Sequence, residues 1–281
     1  MQKFLILLFA CALSFVQTWC QDVEIGAVAG ITVYQGELSP AEFALHPSNI
    51  RPGGGIFARF LHSHTFGTRM GLSYGVLAGD EKAGGEQFAR GLKFRSSLVE
   101  FSGLGELYLI NQRYYSSQTI FSLYLTAGVS AFYFDPRTNI PANPIRLKPL
   151  RTEGQGLPGY GKPYSLFNMS IPYGFGLRFT KKSRWGTGIE LIIRRSLTDY
   201  LDDISSQEVR FGDIIENYGT GAARWSNPLL APTPDNYDIR YIRGNNKPDY
   251  YFTLGISVSY RIINRGAFVS HLRGVNECPR F

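Results

Sequence analysis

The segment Phe252-Thr253-Leu254-Gly255-Ile256-Ser257-Val258-Ser259-Tyr260-Arg261 alternates without a break between large apolar side chains and small or polar ones. Successive side chains of a strand point to opposite faces, so this is a strand with one apolar wall and one polar wall. The same period recurs in seven earlier segments. Val23, Ile25, Ala27, Ala29, Ile31 and Val33 oppose Glu24, Gly26, Gly30 and Thr32; Ile56, Ala58 and Phe60 oppose Phe57 and Arg59. Thr68, Met70, Leu72, Tyr74 and Val76 oppose Arg69, Gly71, Ser73 and Gly75. From Leu92 to Ile110, Val99, Phe101, Leu107 and Leu109 oppose Glu100, Ser102 and Glu106, with Leu98 and Leu104 blurring the pattern. Leu123 to Ala131, Ile171 to Phe179 and Ile189 to Ile193 complete the set.

Eight amphipathic strands of about ten residues have the length and number that let a closed antiparallel barrel cross a membrane, where an open sheet edge is not tolerated. The connections agree. His62 to Thr65 and Lys181 to Arg184 are short, Asn111 to Ile120 is modest, and 35–53, 79–91, 134–169 and 199–249 are long. Short turns at one end and long loops at the other are the pattern of an outer-membrane barrel, here spanning 21–263, with long loops extracellular and both termini periplasmic. The loop 134–169 carries Pro136, Pro141, Pro144, Pro149, Pro158 and Pro163, too many for much regular structure. Phe60, Phe66, Phe121, Phe179, Trp185 and Tyr260 flank the short-turn end, and Tyr34, Tyr74, Tyr133, Tyr173 and Tyr251 the long-loop end, as two interfacial girdles.

The composition fits this reading. In 281 residues there are 31 Gly, 17 Tyr and 20 Phe with only 18% charged residues, which excludes a disordered chain and a long helical bundle. A mean hydropathy of −0.11 is then the average of a lipid-facing wall and a polar one. The net charge is +7.

Residues 1–20 read as a secretory signal peptide: Lys3 precedes the apolar run Phe4 to Leu13, and Thr18 and Cys20 are the small residues before a cut ahead of Gln21. The competing reading is a lipoprotein anchored through Cys20, which Trp19 opposes. With Cys11 and Cys20 removed, Cys278 is the only cysteine of the mature chain. It is available for an intermolecular bridge, as a free thiol, or as an inert residue. It lies in a tail, 264–281, that also carries Arg265, Arg273 and Arg280 and hangs in the periplasm.

On the polar wall stand Arg59, Arg69, Glu100, Glu106, Arg178, Glu190 and Arg194 among Gly, Ser and Thr. A soluble lipocalin-like cup would put apolar residues inside and charge outside. Both signs of charge in the narrow lumen of an eight-stranded barrel must instead pair. The expectation is a plugged barrel with no conductance of its own.

Motifs for chemistry are sparse. His62 and His64 have the spacing of half a zinc site and read as turn histidines. Asp199, Asp202 and Asp203 have oxygen ligands of the calcium type and read as a solvated cluster at a strand end. Gly53-Gly54-Gly55 and Gly84-Gly85 lack the Lys-Ser/Thr partner of a phosphate loop and read as turn glycines. Neither a serine nucleophile elbow nor H-E-x-x-H is present, the basic residues form no nucleic-acid footprint, and a barrel enzyme would need a pairing such as His46 with Asp202. No cofactor or metal is expected, and no enzymatic activity.

Five short segments, in order, resemble the PorG-like outer-membrane barrel of the type IX secretion system. They are Tyr34-Gln35-Gly36-Glu37-Leu38, Arg51-Pro52-Gly53-Gly54-Gly55, Gly71-Leu72-Ser73-Tyr74-Gly75 with Gly79-Asp80, Thr198-Asp199-Tyr200-Leu201-Asp202-Asp203, and Cys278-Pro279-Arg280-Phe281. Glu37 stands where aspartate is expected. The resemblance implies a non-enzymatic membrane anchor for a periplasmic ring of a lipoprotein and its soluble partner, docked through the tail, with Cys278 as a candidate disulfide. The alternative is a stand-alone structural or adhesive barrel that acts through its extracellular loops.

Overall fold

The computed structural model describes residues 22–39, 47–80, 91–114, 119–138, 144–181, 184–244 and 248–263. Eight long strands close on themselves: β1 (Asp22–Gln35), β2 (Ile50–Leu61), β3 (Phe66–Asp80), β4 (Lys93–Tyr114), β5 (Thr119–Thr138), β6 (Phe167–Lys181), β7 (Trp185–Ser196) and β10 (Tyr250–Ile263). Each pairs antiparallel with its chain neighbour, and β1 meets β10 from Asp22↔Ile263 to Gln35↔Tyr250. The fold is therefore a closed eight-stranded antiparallel barrel. The last long connection holds further structure: β8 (Glu208–Arg210) and β9 (Arg240–Ile242) form a small sheet around α1 (Phe211–Ser226). Within α1, Gly219 has φ 85° and ψ 171°, which divides it into two helical segments.

The side-chain alternation decides which wall faces where. Ile25, Ile56, Leu72, Phe101, Val129, Ile189 and Ile256 all point outward, with Ile56 and Ile256 62% and 64% exposed. A continuous apolar exterior on this scale is a wall solvated by lipid rather than by water. Among the described residues, no helix is long and apolar enough to cross a membrane. At the short-turn end Phe66, Phe179, Trp185 and Tyr260 are exposed, and Trp185 and Tyr260 pack edge to face at 5.2 Å. Tyr74 and Tyr173 are exposed at the opposite end.

Four readings change. Tyr34 and Tyr251 are not girdle residues: both are buried inside the barrel, because they share the phase of Thr32 and Thr253 on the polar wall. The strands run farther than their apolar alternation. β4 continues to Tyr114 and β5 starts at Thr119, so the turn is shorter than Asn111 to Ile120. Gly53, Gly54 and Gly55 lie inside β2 rather than in a turn, opposite Gly30, Ala29 and Val28 of β1. Gly84-Gly85 and His46 lie outside the described residues. Leu98 and Leu104, which blurred the period of β4, are in phase with Glu100 and fill the lumen beside it.

Apolar packing closes the long-loop end. Tyr34, Leu77, Phe94, Phe132, Phe134 and Tyr251 from the barrel mouth pack with Leu38, Leu147, Tyr164, Leu201 and Ile204 from the loops. A second small core of Val209, Phe211, Ile214, Ala222 and Ala223 holds α1 to the β8–β9 sheet. The loops thus fold into a cap that has a hydrophobic core of its own.

Closure itself depends on small residues at the seam. A Cβ on inward-facing Gly30 would run into the carbonyl of Leu254 on β10, whereas one on Gly103 would meet nothing within 4 Å. Gly30→Val is therefore expected to abolish the compact, heat-modifiable gel species of a folded barrel. Gly103→Ala is expected to leave it intact; equal behaviour of the two would refute this account of the seam.

Candidate functional site

The lumen is the first place where charged residues converge, and every strand of the barrel contributes to it. Glu24 of β1 receives Arg178 of β6 at 2.9 Å, Arg59 of β2 at 3.3 Å and Arg261 of β10 at 2.8 Å. Glu106 of β4 accepts from Arg59 Nε at 2.7 Å and lies 3.4 Å from Arg69 Nε of β3. Arg69 reaches on to Glu190 of β7 at 2.5 Å, where Tyr124 of β5 also donates at 3.0 Å. One level nearer the cap, Glu100 accepts from Arg194 at 2.8 Å and from the Tyr251 hydroxyl at 2.5 Å. Guanidinium groups also lie over aromatic rings: Arg59 on Phe57 at 5.0 Å, Arg178 on Tyr108 at 5.3 Å and Arg194 on Tyr251 at 5.4 Å.

All seven charges expected in the lumen are thus brought together in pairs. Two members were missed, Glu24 and Arg261, although both occupy the polar phase of their strands. Glu24 is the most connected acid of the network. The interior leaves a cavity of about 40 Å³ lined by Thr32, Ser73, Glu190, Arg194 and Thr253, room for a few waters and not for a channel.

Stripping one partner from a desolvated pair leaves a buried charge unmatched, at a cost of about 3–5 kcal/mol. Glu106→Ala is accordingly expected to lower the urea midpoint of the refolded barrel strongly. Asp238→Ala, which removes an exposed partner of Arg210, is expected to leave it unchanged. The intact protein should form no stable channel in a planar bilayer.

The second convergence lies under the cap. Glu37, just beyond β1, meets Asp202 of the last long loop and Asp249 beside β10, with carboxylate oxygens all within 4.8 Å. Asp202 and Asp249 are buried. This corrects the solvated reading of the aspartate cluster: the apolar core of the cap closes over Asp202 and Asp203, and only Asp199 is half-buried. The Asp203 carboxylate is held separately, by Thr152, by Tyr164 at 2.7 Å and by Arg243 at 3.5 Å.

Three carboxylates are the donor type of a hard cation. The tyrosine between two of them points to a proton instead. The Tyr34 hydroxyl lies 2.8 Å from Asp202 Oδ2 and 2.7 Å from Asp249 Oδ1, yet has one proton to donate. The second contact therefore needs a protonated carboxyl. Burial and mutual repulsion with Glu37 hold Asp202 and Asp249 well above the ordinary aspartate range, and burial lifts Asp199 to about 6. The amides of Leu201 and Ile204 donate into the cluster, which ties the loop backbone to it.

The sign follows from these raised values. Below about pH 4 the carboxyls are protonated in both the closed and the opened cap, so its stability is complete. As pH rises from there, through 6 and beyond, the closed cap must hold protons that the opened one releases, and stability is lost. After correction for intrinsic exchange, amide exchange at Leu201 and Ile204 should speed up by about tenfold from pH 5.5 to 8.5. In an Asp202→Asn/Asp249→Asn variant that dependence should flatten.

Among the described residues, His62 and His64 belong to no group of three or more possible metal ligands. His62 stacks on Phe66 at 5.7 Å and contacts the Thr68 hydroxyl at 2.8 Å, and His64 is exposed in the turn. Residues 1–20, expected to be a signal peptide, and the tail residues Arg265, Arg273, Cys278 and Arg280 lie outside the described residues.

A family model described as "Domain of unknown function (DUF6089)" matches residues 2–145. No curated protein matches the chain in sequence. Among solved structures, it is similar to Ail, the attachment invasion locus protein of Yersinia pestis, at 11% identity and a TM-score of 0.39, over 86% of this chain and 98% of that one. Neisserial surface protein A gives 9% identity and 0.39 over 85% and 96%. OprG from Pseudomonas aeruginosa gives 8% and 0.39 over 87% and 97%.

Proposed function

The chain belongs to the DUF6089 family, and from that premise we propose that it is a sealed outer-membrane barrel that serves as a non-enzymatic fixture for protein export. The observation that carries this reading is the pairing of a lipid-type outer wall with a lumen filled by matched charges. Such a barrel holds a fixed place in the bilayer and passes nothing through itself. Outer-membrane barrels combine short turns on the periplasmic side with long loops outside, which puts the cap at the cell surface and both ends of the strand array in the periplasm.

The finer part of the proposal is a role in the type IX secretion machinery, as anchor of a periplasmic ring made of a lipoprotein and a soluble partner. Its support is the ordered set of segments from Tyr34-Gln35-Gly36 to Cys278-Pro279-Arg280 that resembles PorG-like proteins. Asp22 pairs with Ile263, so the last described residue lies at the short-turn end, the side on which a periplasmic partner would stand. Arg265, Arg273 and Arg280 supply charge for docking, and Cys278 supplies a thiol in an oxidising compartment.

The test compares the whole chain with one truncated after Ile263, by crosslinking in cells and identification of the captured proteins. The ring lipoprotein and its soluble partner should be captured only with the tail intact. A Cys278→Ser change should abolish a disulfide-linked species on non-reducing gels. If truncation leaves capture and export unchanged, the chain acts instead as a stand-alone barrel through its surface loops.

A further inference from the structure

Above the girdle at the long-loop end, three arginines stand side by side on the outer wall. Arg95 of β4 is the direct cross-strand neighbour of Arg137 on β5, and Arg137 forms an antiparallel bridge with Arg146. All three are exposed. Like charges directly opposite one another destabilise a sheet, so such a row calls for an anion. The protein supplies one. Asp135 accepts from Arg137 Nη2 at 2.7 Å and from Arg146 Nε at 2.8 Å. It leaves Arg95 with no acid partner among the described residues, and three guanidinium groups share a single carboxylate.

The height of the row identifies what faces it. Four residues back along the same strands, Tyr74, Val99, Tyr133 and Phe167 form a continuous outward row, with the Tyr133 and Phe167 rings 5.1 Å apart. Phe167 is 72% exposed, and Ile145 beside Arg146 is also exposed. At the rise and tilt of barrel strands, four residues amount to about 10 Å of height. The arginines therefore stand at headgroup level over a wall made for acyl chains. Guanidinium forks suit phosphate oxygens, and Arg at a membrane surface gains about 1 kcal/mol from anionic lipid.

We infer that Arg95, Arg137 and Arg146 form a binding site for the phosphomonoester headgroup of a lipid in the leaflet on the loop side. The inference rests on the membrane-barrel reading above. It makes the barrel selective for its lipid neighbours on this one flank, with Asp135 fixing the two guanidinium groups next to the apolar surface.

The full chain is placed in phosphatidylcholine nanodiscs containing a minor share of phosphatidic acid, and lipid retained on release is counted by native mass spectrometry. Phosphatidic acid should be enriched over its share, and enrichment should fall about fivefold for each of Arg95→Gln, Arg137→Gln and Arg146→Gln. Arg95→Gln is the decisive variant because that side chain makes no ion pair with an acid among the described residues; Arg240→Gln on the cap should change nothing. Retention of both lipids in proportion to supply would overturn the inference, as would enrichment that survives the triple substitution. Full competition by inorganic phosphate would assign the row to a free anion and overturn the lipid reading. Heat-modifiable migration keeps the two levels apart. A chain that is not folded in the discs overturns the membrane barrel and this site together, whereas a folded chain without enrichment overturns the site alone.

Discussion

A carboxylate inside a narrow barrel has little water to turn to, and the rest of this structure depends on how Glu24, Glu100, Glu106 and Glu190 are matched. Each accepts at least one guanidinium group, and the donors Arg59, Arg69, Arg178, Arg194 and Arg261 come from five different strands. Such pairs return little net stability compared with an apolar core of equal volume, because desolvation offsets much of their attraction. What they provide is a unique register. A slip of one residue in any strand that carries a lumen charge would turn that charge to lipid and leave a partner in the lumen unmatched.

Inside and outside are thereby inverted relative to a soluble protein, but the cap is not. Over the barrel mouth the loops build an ordinary apolar core around Leu38, Leu201, Ile204 and Phe134, and Asp202, Asp203 and Asp249 enter the cap hydrogen-bonded. The carboxyl cluster at Tyr34 sits where the two regimes meet. It receives one residue after the first strand, one from the last loop and one before the closing strand, so cap and barrel share a single polar joint.

Much of the barrel was legible in the sequence because period two is a local property. The phase that puts Ile256 outward and Ser257 inward is written in adjacent residues, and it also places Glu24 and Arg261 in the lumen. Where residue type was allowed to override phase, the reading failed: Tyr34 and Tyr251 look like girdle tyrosines, yet their parity sends them inward to Asp202 and Glu100. The cap was not legible, since Glu153 and Arg243, or Glu37 and Asp249, are joined by loop folding that leaves no periodic trace. Prolines signalled the irregular backbone of the described residues 144–166, although Pro136 lies inside β5, whereas nothing periodic marked the small sheet that β8 and β9 make around α1. Burial of Asp202 and Asp203 follows from the same non-local packing.

The contacts of Glu24 also set an order of assembly. Its partners lie 35, 154 and 237 residues away along the chain, the last of them on the final strand. Before that strand is in place, Glu24 has Arg59 and Arg178 as partners but lacks Arg261, and the edge of β1 stays open. The last ion pair of Glu24 and the ladder between β1 and β10 therefore form together. A chain cut short before β10 would lack both ladders of the closing strand and leave β1 and β7 as open edges, which a bilayer does not tolerate.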